Sequence, residues 1–229
     1  HLTYGWMDYE AKIHFITFLV TKQKLSEAET EFGYYDAELE KYVEERVGKM
    51  REEMLARLKE FATQLIARSP YPQYILIEEV DPKNFKLKLS VPPPLYKEAK
   101  AEFERIKSLI SSEQDSRFKK IEREVEKQKK IFYAKKGFQF IGDTMSVNYE
   151  LSVQNNRPRV KQVVEEMMRN NEKLSLHQFL ALILAFIQEV KFGIPPMKEN
   201  DKWILGFWVP PRVLVNNLGD CDSKGVTFA

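Results

Sequence analysis

A chain of 229 residues can hold one large domain or two modest ones around a sizeable core. Its 43% hydrophobic and 31% charged residues fit a folded protein with long solvated helices and exclude a disordered one. The 36 basic and 34 acidic side chains leave a formal net charge of only +2, so there is no basic footprint for nucleic acid.

The single cysteine, Cys221, excludes an internal disulfide framework and leaves the cellular compartment open. The longest apolar run, 179–187, is about half the ~20 residues needed to span a bilayer, and reads as a buried helix. The chain begins His1-Leu2, a start that a removed signal peptide or anchor, or simply a chosen boundary, would leave.

In chain order, residues 11–21 are β-branched and aromatic with partial alternation, and read as a strand buried on both faces or nearly so. Ser26 and Glu29 have the spacing of a capping box, soon interrupted by Gly33. From about Asp36 to Ala67 the period is helical: Val43, Val47, Met50, Met54, Leu58, Phe61 and Leu65 recur every three or four residues. Ser69-Pro70-Tyr71-Pro72 stops that helix.

Residues 74–77 and 85–89 then read as strands of a β-hairpin around Asp81-Pro82-Lys83-Asn84. Pro92-Pro93-Pro94 closes the hairpin and opens a second long helix with an apolar stripe through Phe103, Ile106, Ile110, Phe118, Ile121, Val125 and Phe132. Two such helices around a short hairpin are expected to fold back as an antiparallel stalk ~50 Å long, at ~1.5 Å per residue, with the β-hairpin at its tip.

Gly137 ends the stalk, and residues 138–141 and 147–153 read as strands again. Residues 158–170 form an amphipathic helix with Pro158 in its first turn. Ser175 caps the next helix, 176–192, before Gly193-Ile194-Pro195-Pro196. The expected fold class is therefore α+β: a β-rich N-terminal domain, 1–157, carrying an inserted helical stalk at about 30–136, and a second domain over 158–229.

The chemistry concentrates at Gly219-Asp220-Cys221-Asp222-Ser223-Lys224. Leu218-Gly219-Asp220 is a turn into a helix starting about Cys221 or Asp222. A thiol there sits at the positive end of the helix dipole beside unpaired N–H groups, which favours the reactive thiolate. The Cys221 N–H is a candidate oxyanion donor, and Gly219 would let a substrate backbone come close. Against this, Asp220 and Asp222 disfavour a nearby negative charge, and a lone cysteine is also compatible with an inert buried residue. No His/Cys/Asp cluster has metal-ligand spacing and no glycine-rich phosphate loop occurs, so neither metal nor organic cofactor is expected.

The run Trp208-Val209-Pro210-Pro211, Leu214 and Gly219-Asp220-Cys221-Asp222-Ser223-Lys224-Gly225 resembles the nucleophile segment of bacterial transglutaminase-like cysteine peptidases. The helix bearing Phe186-Ile187-Gln188-Glu189-Val190-Lys191-Phe192 is similar to the one that usually precedes it. The resemblance covers roughly residues 158–229, and the stalk has no counterpart in it. It implies a papain-like core whose helical first half is 158–229, with a Cys–His–Asp triad. Cys221 would be the nucleophile, Gly219, Asp220 and Asp222 would support it, and the His and Asp would follow Ala229.

His1, His14 and His177 all precede Cys221 and none sits in a matching context. The function expected is that of a thiol hydrolase or acyl transferase acting on amide bonds of a protein or peptide, with this chain alone inactive. The resemblance also suggests a bacterial envelope or secreted location. The alternative is a binding or scaffold module that meets a protein partner at the stalk or hairpin tip, with a degenerate cysteine site.

Overall fold

The computed structural model describes residues 2–7, 12–18 and 21–229. It is mixed helix and sheet, predominantly helical, with short strand pairs. The chain forms two compact units: 1–38 with 130–229, and 39–129.

In the first unit, β1 (Leu2–Met7) and β2 (Ile13–Phe18) pair antiparallel, Tyr4 opposite Ile16 and Trp6 opposite His14. Only one face of this pair is covered. Ile16 is 1% exposed whereas Ile13 and Phe15 are 64% and 69% exposed, because a two-stranded ribbon has no second layer beyond it. The expectation of a strand buried on both faces over 11–21 is thus corrected, and its positions 11, 19 and 20 lie outside the described residues. Ser26 is not a cap either. It lies inside α1 (Lys22–Glu31), whose N-cap is Thr21, accepting from the Lys24 N–H.

Helix α2 (Asp36–Ala67) has the bounds that its periodicity predicts. Its first turn belongs to the first unit and the rest to the second. There Val47, Leu55, Leu58, Ala62 and Ile66 share one core with Phe103, Ile106, Ile110 and Ile121 of α3 (Tyr96–Lys135). The most deeply buried row of α2 is displaced from the predicted stripe: Leu55, Ala62 and Ile66 go in, while Met54, Phe61 and Leu65 are only partly buried.

Between these helices β3 (Leu76–Asp81) and β4 (Lys86–Ser90) form the expected hairpin. Asp81 closes its turn by accepting from the N–H groups of Lys83 and Asn84. Phe85 adopts φ 52° just past that turn and is 1% exposed, stacked on Phe118. A left-handed aromatic is costly, and the buried ring offsets the cost.

Back in the first unit, β5 (Phe138–Ile141) pairs with β6 (Thr144–Val147), and α4 (Tyr149–Asn170) follows at once. Residues 147–153 are therefore not a strand. Asn148 accepts from the Leu151 N–H as N-cap, and Glu150 favours the first turn. Pro158 sits inside α4 instead of starting it, so residues 157 and 158 are consecutive positions of one helix. Helix α5 (Leu176–Glu189) opens on Ser175 with a full capping box to Gln178.

The remaining elements are β7 (Lys191–Phe192), β8 (Lys198–Glu199), β9 (Lys202–Trp203), α6 (Pro210–Asn216), β10 (Leu218–Gly219) and α7 (Cys221–Phe228). Every sheet among the described residues has two strands, and β2 does not pair with β5. Local strand pairs on a helical body thus replace the expected β-rich domain, while the expected insertion stands as a unit of its own, 39–129.

One core of this unit joins Trp6 and Ile16 to Val163, Met167, Leu182, Phe186, Ile187 and Leu214. A second, aromatic cluster brings Phe32 to Phe138 and Phe207, and Tyr34 to Phe132. Residues 30–38 and 130–136, expected in the stalk, therefore build the core of the first unit. No helix among the described residues is long and apolar enough to cross a membrane.

Candidate active site around Cys221

The chain approaches Cys221 through a series of locally enforced turns. Pro210 and Pro211 start α6, where a missing N–H costs nothing. Asn217, in the left-handed region at φ 47°, ends it. Leu218 and Gly219 then pair in parallel with Lys191 and Phe192, the Gly193 N–H donating to the Gly219 carbonyl at 3.2 Å. A Cβ at Gly193 would lie 2.6 Å from Leu218 Cδ1, so a larger residue there would have to displace the Leu218 side chain.

Asp220 is the N-cap of α7, its Oδ1 accepting from the Ser223 N–H at 2.9 Å. Cys221 is the first residue of the helix and is exposed. None of the hydrogen bonds among the described residues uses the N–H of Cys221 or Asp222, so the two first donors of the helix are open beside the thiol. The positive end of the helix adds to them.

Asp222 is also engaged. Tyr149, the first residue of α4, donates its hydroxyl to Asp222 Oδ2 at 2.8 Å, and its ring rests edge-on against Phe207 at 5.6 Å. Burial first, then Asp222, pushes the Tyr149 phenol up to about 12. The phenol therefore keeps its proton near neutral pH and remains a donor. Both carboxylates flanking the cysteine thus spend an oxygen on other partners, which tempers the repulsion of a thiolate expected from sequence.

Ser223 is 0% exposed and anchors the helix. Its Oγ accepts from the Trp208 N–H at 3.1 Å, and its carbonyl accepts from the Thr227 hydroxyl at 2.7 Å. Lys224 Nζ reaches the Gln188 carbonyl at the end of α5 at 3.4 Å. Gly219 is buried, and a Cβ there would meet Val213 at 3.3 Å, so its smallness serves packing against α6 and not open access for a substrate.

Cys221, Asp220, Asp222 and Gly219 are accordingly brought together. His14 lies in β2 stacked on Trp6, and His177 is exposed in the first turn of α5; neither is bonded to Cys221. Tyr149 and the anchoring role of Ser223 were missed in the sequence. Asn148 followed by Glu150 was the available signal that Tyr149 opens a helix. No group of three or more His, Cys, Asp or Glu side chains that could hold a metal ion occurs among the described residues. No family model, no curated protein and no solved structure matches this chain.

Proposed function

We propose that Cys221 is the nucleophile of a transglutaminase-like thiol hydrolase or acyl transferase acting on amide bonds of a protein or peptide. What supports this most is one arrangement: an exposed thiol on the first residue of α7, next to two unused N–H donors, with Asp220 and Asp222 already hydrogen-bonded elsewhere.

In this reading the sulfur attacks the amide carbonyl and the C=O pair moves onto oxygen. The N–H groups of Cys221 and Asp222 hold the oxyanion. Collapse expels the amine, which takes a proton, and leaves a thioester for water or a second amine. Deprotonating the thiol and protonating the amine needs a general base, a task for a group other than His14 or His177.

The test separates the nucleophile from the base. An activated peptide ester, whose leaving group needs no proton, should acylate Cys221 stoichiometrically and faster than it acylates glutathione. The adduct should be read by intact mass and be absent in Cys221→Ala. Acylation no faster than that of glutathione would remove the case for an activated site.

A further inference from the structure

Neither Cys221 nor Asp220, Asp222 or Tyr149 lines the cavity of about 250 Å³ that opens among α1, the β8–β9 hairpin and α6. Its polar groups are built into a frame. Arg212 donates Nη1 to Glu29 Oε1 at 3.1 Å and Nη2 to Glu199 Oε1 at 2.7 Å, its guanidinium lying over the Trp208 ring at 5.3 Å. Such a fork fixes both carboxylates in place. Oε2 of each carboxylate has no donor among the described residues.

Donors are also in surplus. Arg212 Nε and Trp208 Nε1 are shielded and have no acceptor, and Trp208 is only 8% exposed. Both atoms are closed off from the cavity, so they belong to its wall and not to its ligand contacts. Lys202 Nζ donates to the Glu29 backbone carbonyl and, among the described residues, to no carboxylate. Burial and the nearby Lys136 hold its amine below the ordinary lysine range, partly offset by Glu38 and Glu29.

The lining therefore carries an amine bonded to no carboxylate and two carboxylates that each keep one oxygen free among the described residues. A phosphate would face Glu29 and Glu199; a simple amine would face Lys202 and Arg212; an uncharged sugar would use neither kind of charge. A ligand carrying both signs a few ångströms apart meets each requirement. At roughly 30 Å³ per water the cavity displaces about eight waters, below the range of drug-sized sites. The Tyr35 ring on its wall suits an apolar side chain.

We propose that this cavity binds a free zwitterionic α-amino acid, its carboxylate on Lys202 and its ammonium on Glu29 and Glu199. This goes beyond the reading of Cys221 and does not depend on it.

L-leucine is the probe, with isocaproate (leucine lacking the ammonium) and isoamylamine (leucine lacking the carboxylate) as its halves and glucose as the uncharged control. Binding is followed by NMR on the indole N–H of Trp208, one of three tryptophans, assigned with Trp208→Phe. Leucine should shift that signal saturably and bind at least about tenfold more tightly than either half or glucose. Lys202→Met should weaken leucine at least about tenfold. Should that variant unfold, Glu199→Gln, which keeps the shape of the side chain, should weaken leucine and isoamylamine while sparing isocaproate. No saturable shift, a half-molecule or glucose binding as well as leucine, or wild-type affinity in a folded Lys202→Met or in Glu199→Gln would overturn the proposal.

Discussion

Tyr149 and Asp222, 73 positions apart in sequence, meet through one 2.8 Å hydrogen bond that ties the first turn of α4 to the first turn of α7. The bond exists only while the phenol is protonated. Tyrosines of an unfolded chain titrate near ~10, whereas burial and Asp222 hold this one up to about 12. The folded state thus binds the proton more tightly, and the resulting stability is complete below ~10 and is lost as pH rises through about 12. Urea unfolding at about pH 9 and about pH 11.5 should show a larger alkaline loss for wild type than for Tyr149→Phe. Other tyrosines titrate in both proteins, so only the difference counts; equal losses would contradict the assignment.

Ser223→Ala should be the costliest small substitution near Cys221. The hydroxyl is fully buried, and its removal leaves the Trp208 N–H without an acceptor. An unsatisfied buried donor costs about 1–3 kcal/mol. Asp220→Ala removes an N-cap, at about 0.5–2 kcal/mol. Tryptophan fluorescence in urea reads both, because Trp6, Trp203 and Trp208 all lie in the first unit.

Two left-handed glycines should respond unequally to alanine. At Gly33, φ 78°, a Cβ would lie 2.6 Å from the Trp203 carbonyl oxygen, whose residue is held to Tyr34 by paired backbone bonds. Gly142, φ 62°, has nothing within 4 Å of its Cβ position. Gly142→Ala should cost only the left-handed penalty of about 1–2 kcal/mol. Gly33→Ala should cost that and the clash, and so lower the urea midpoint clearly further. Equal midpoints would mean the Tyr34–Trp203 bridge yields freely.

Long amphipathic stretches were legible in the sequence because burial there has a period. The stripe from Val43 to Leu65 locates α2 to its ends, although Leu55, Ala62 and Ile66 go deeper than Met54, Phe61 and Leu65. The start of α4 was not legible. Val147-Asn148-Tyr149-Glu150-Leu151 alternates like a strand, and only the Asn148 cap, a contact of one side chain, decides for helix. Cys221 and its neighbours were readable as a turn into a helix, since Gly219-Asp220 is local chemistry. The engagement of Asp222 by Tyr149 depends on tertiary packing and carries no local signal.

The second unit should be removable, with cuts set by the packing and not by the helix ends. Excision from about residue 30 to 136 would delete Phe32, which packs against Phe138 and Phe207, Tyr34, which packs against Phe138, and Phe132, which packs against Tyr34. Excision of 39–129 keeps them. The new junction is short: Lys136 Nζ lies 3.1 Å from Glu38 Oε2, Lys130 is six residues before Lys136, ~9 Å at ~1.5 Å per residue, and with the reach of both side chains the backbone gap is at most ~20 Å. About twelve Gly/Ser residues span ~19 Å on average, enough to join Glu38 to Lys130. Closing so short a loop adds little entropic cost. The shortened protein should keep a single cooperative transition by tryptophan fluorescence, within about 1–2 kcal/mol of the same transition in the full chain. It should also retain the acylation of Cys221. A chain that folds only with 39–129 present would show that the first unit draws its stability from the second.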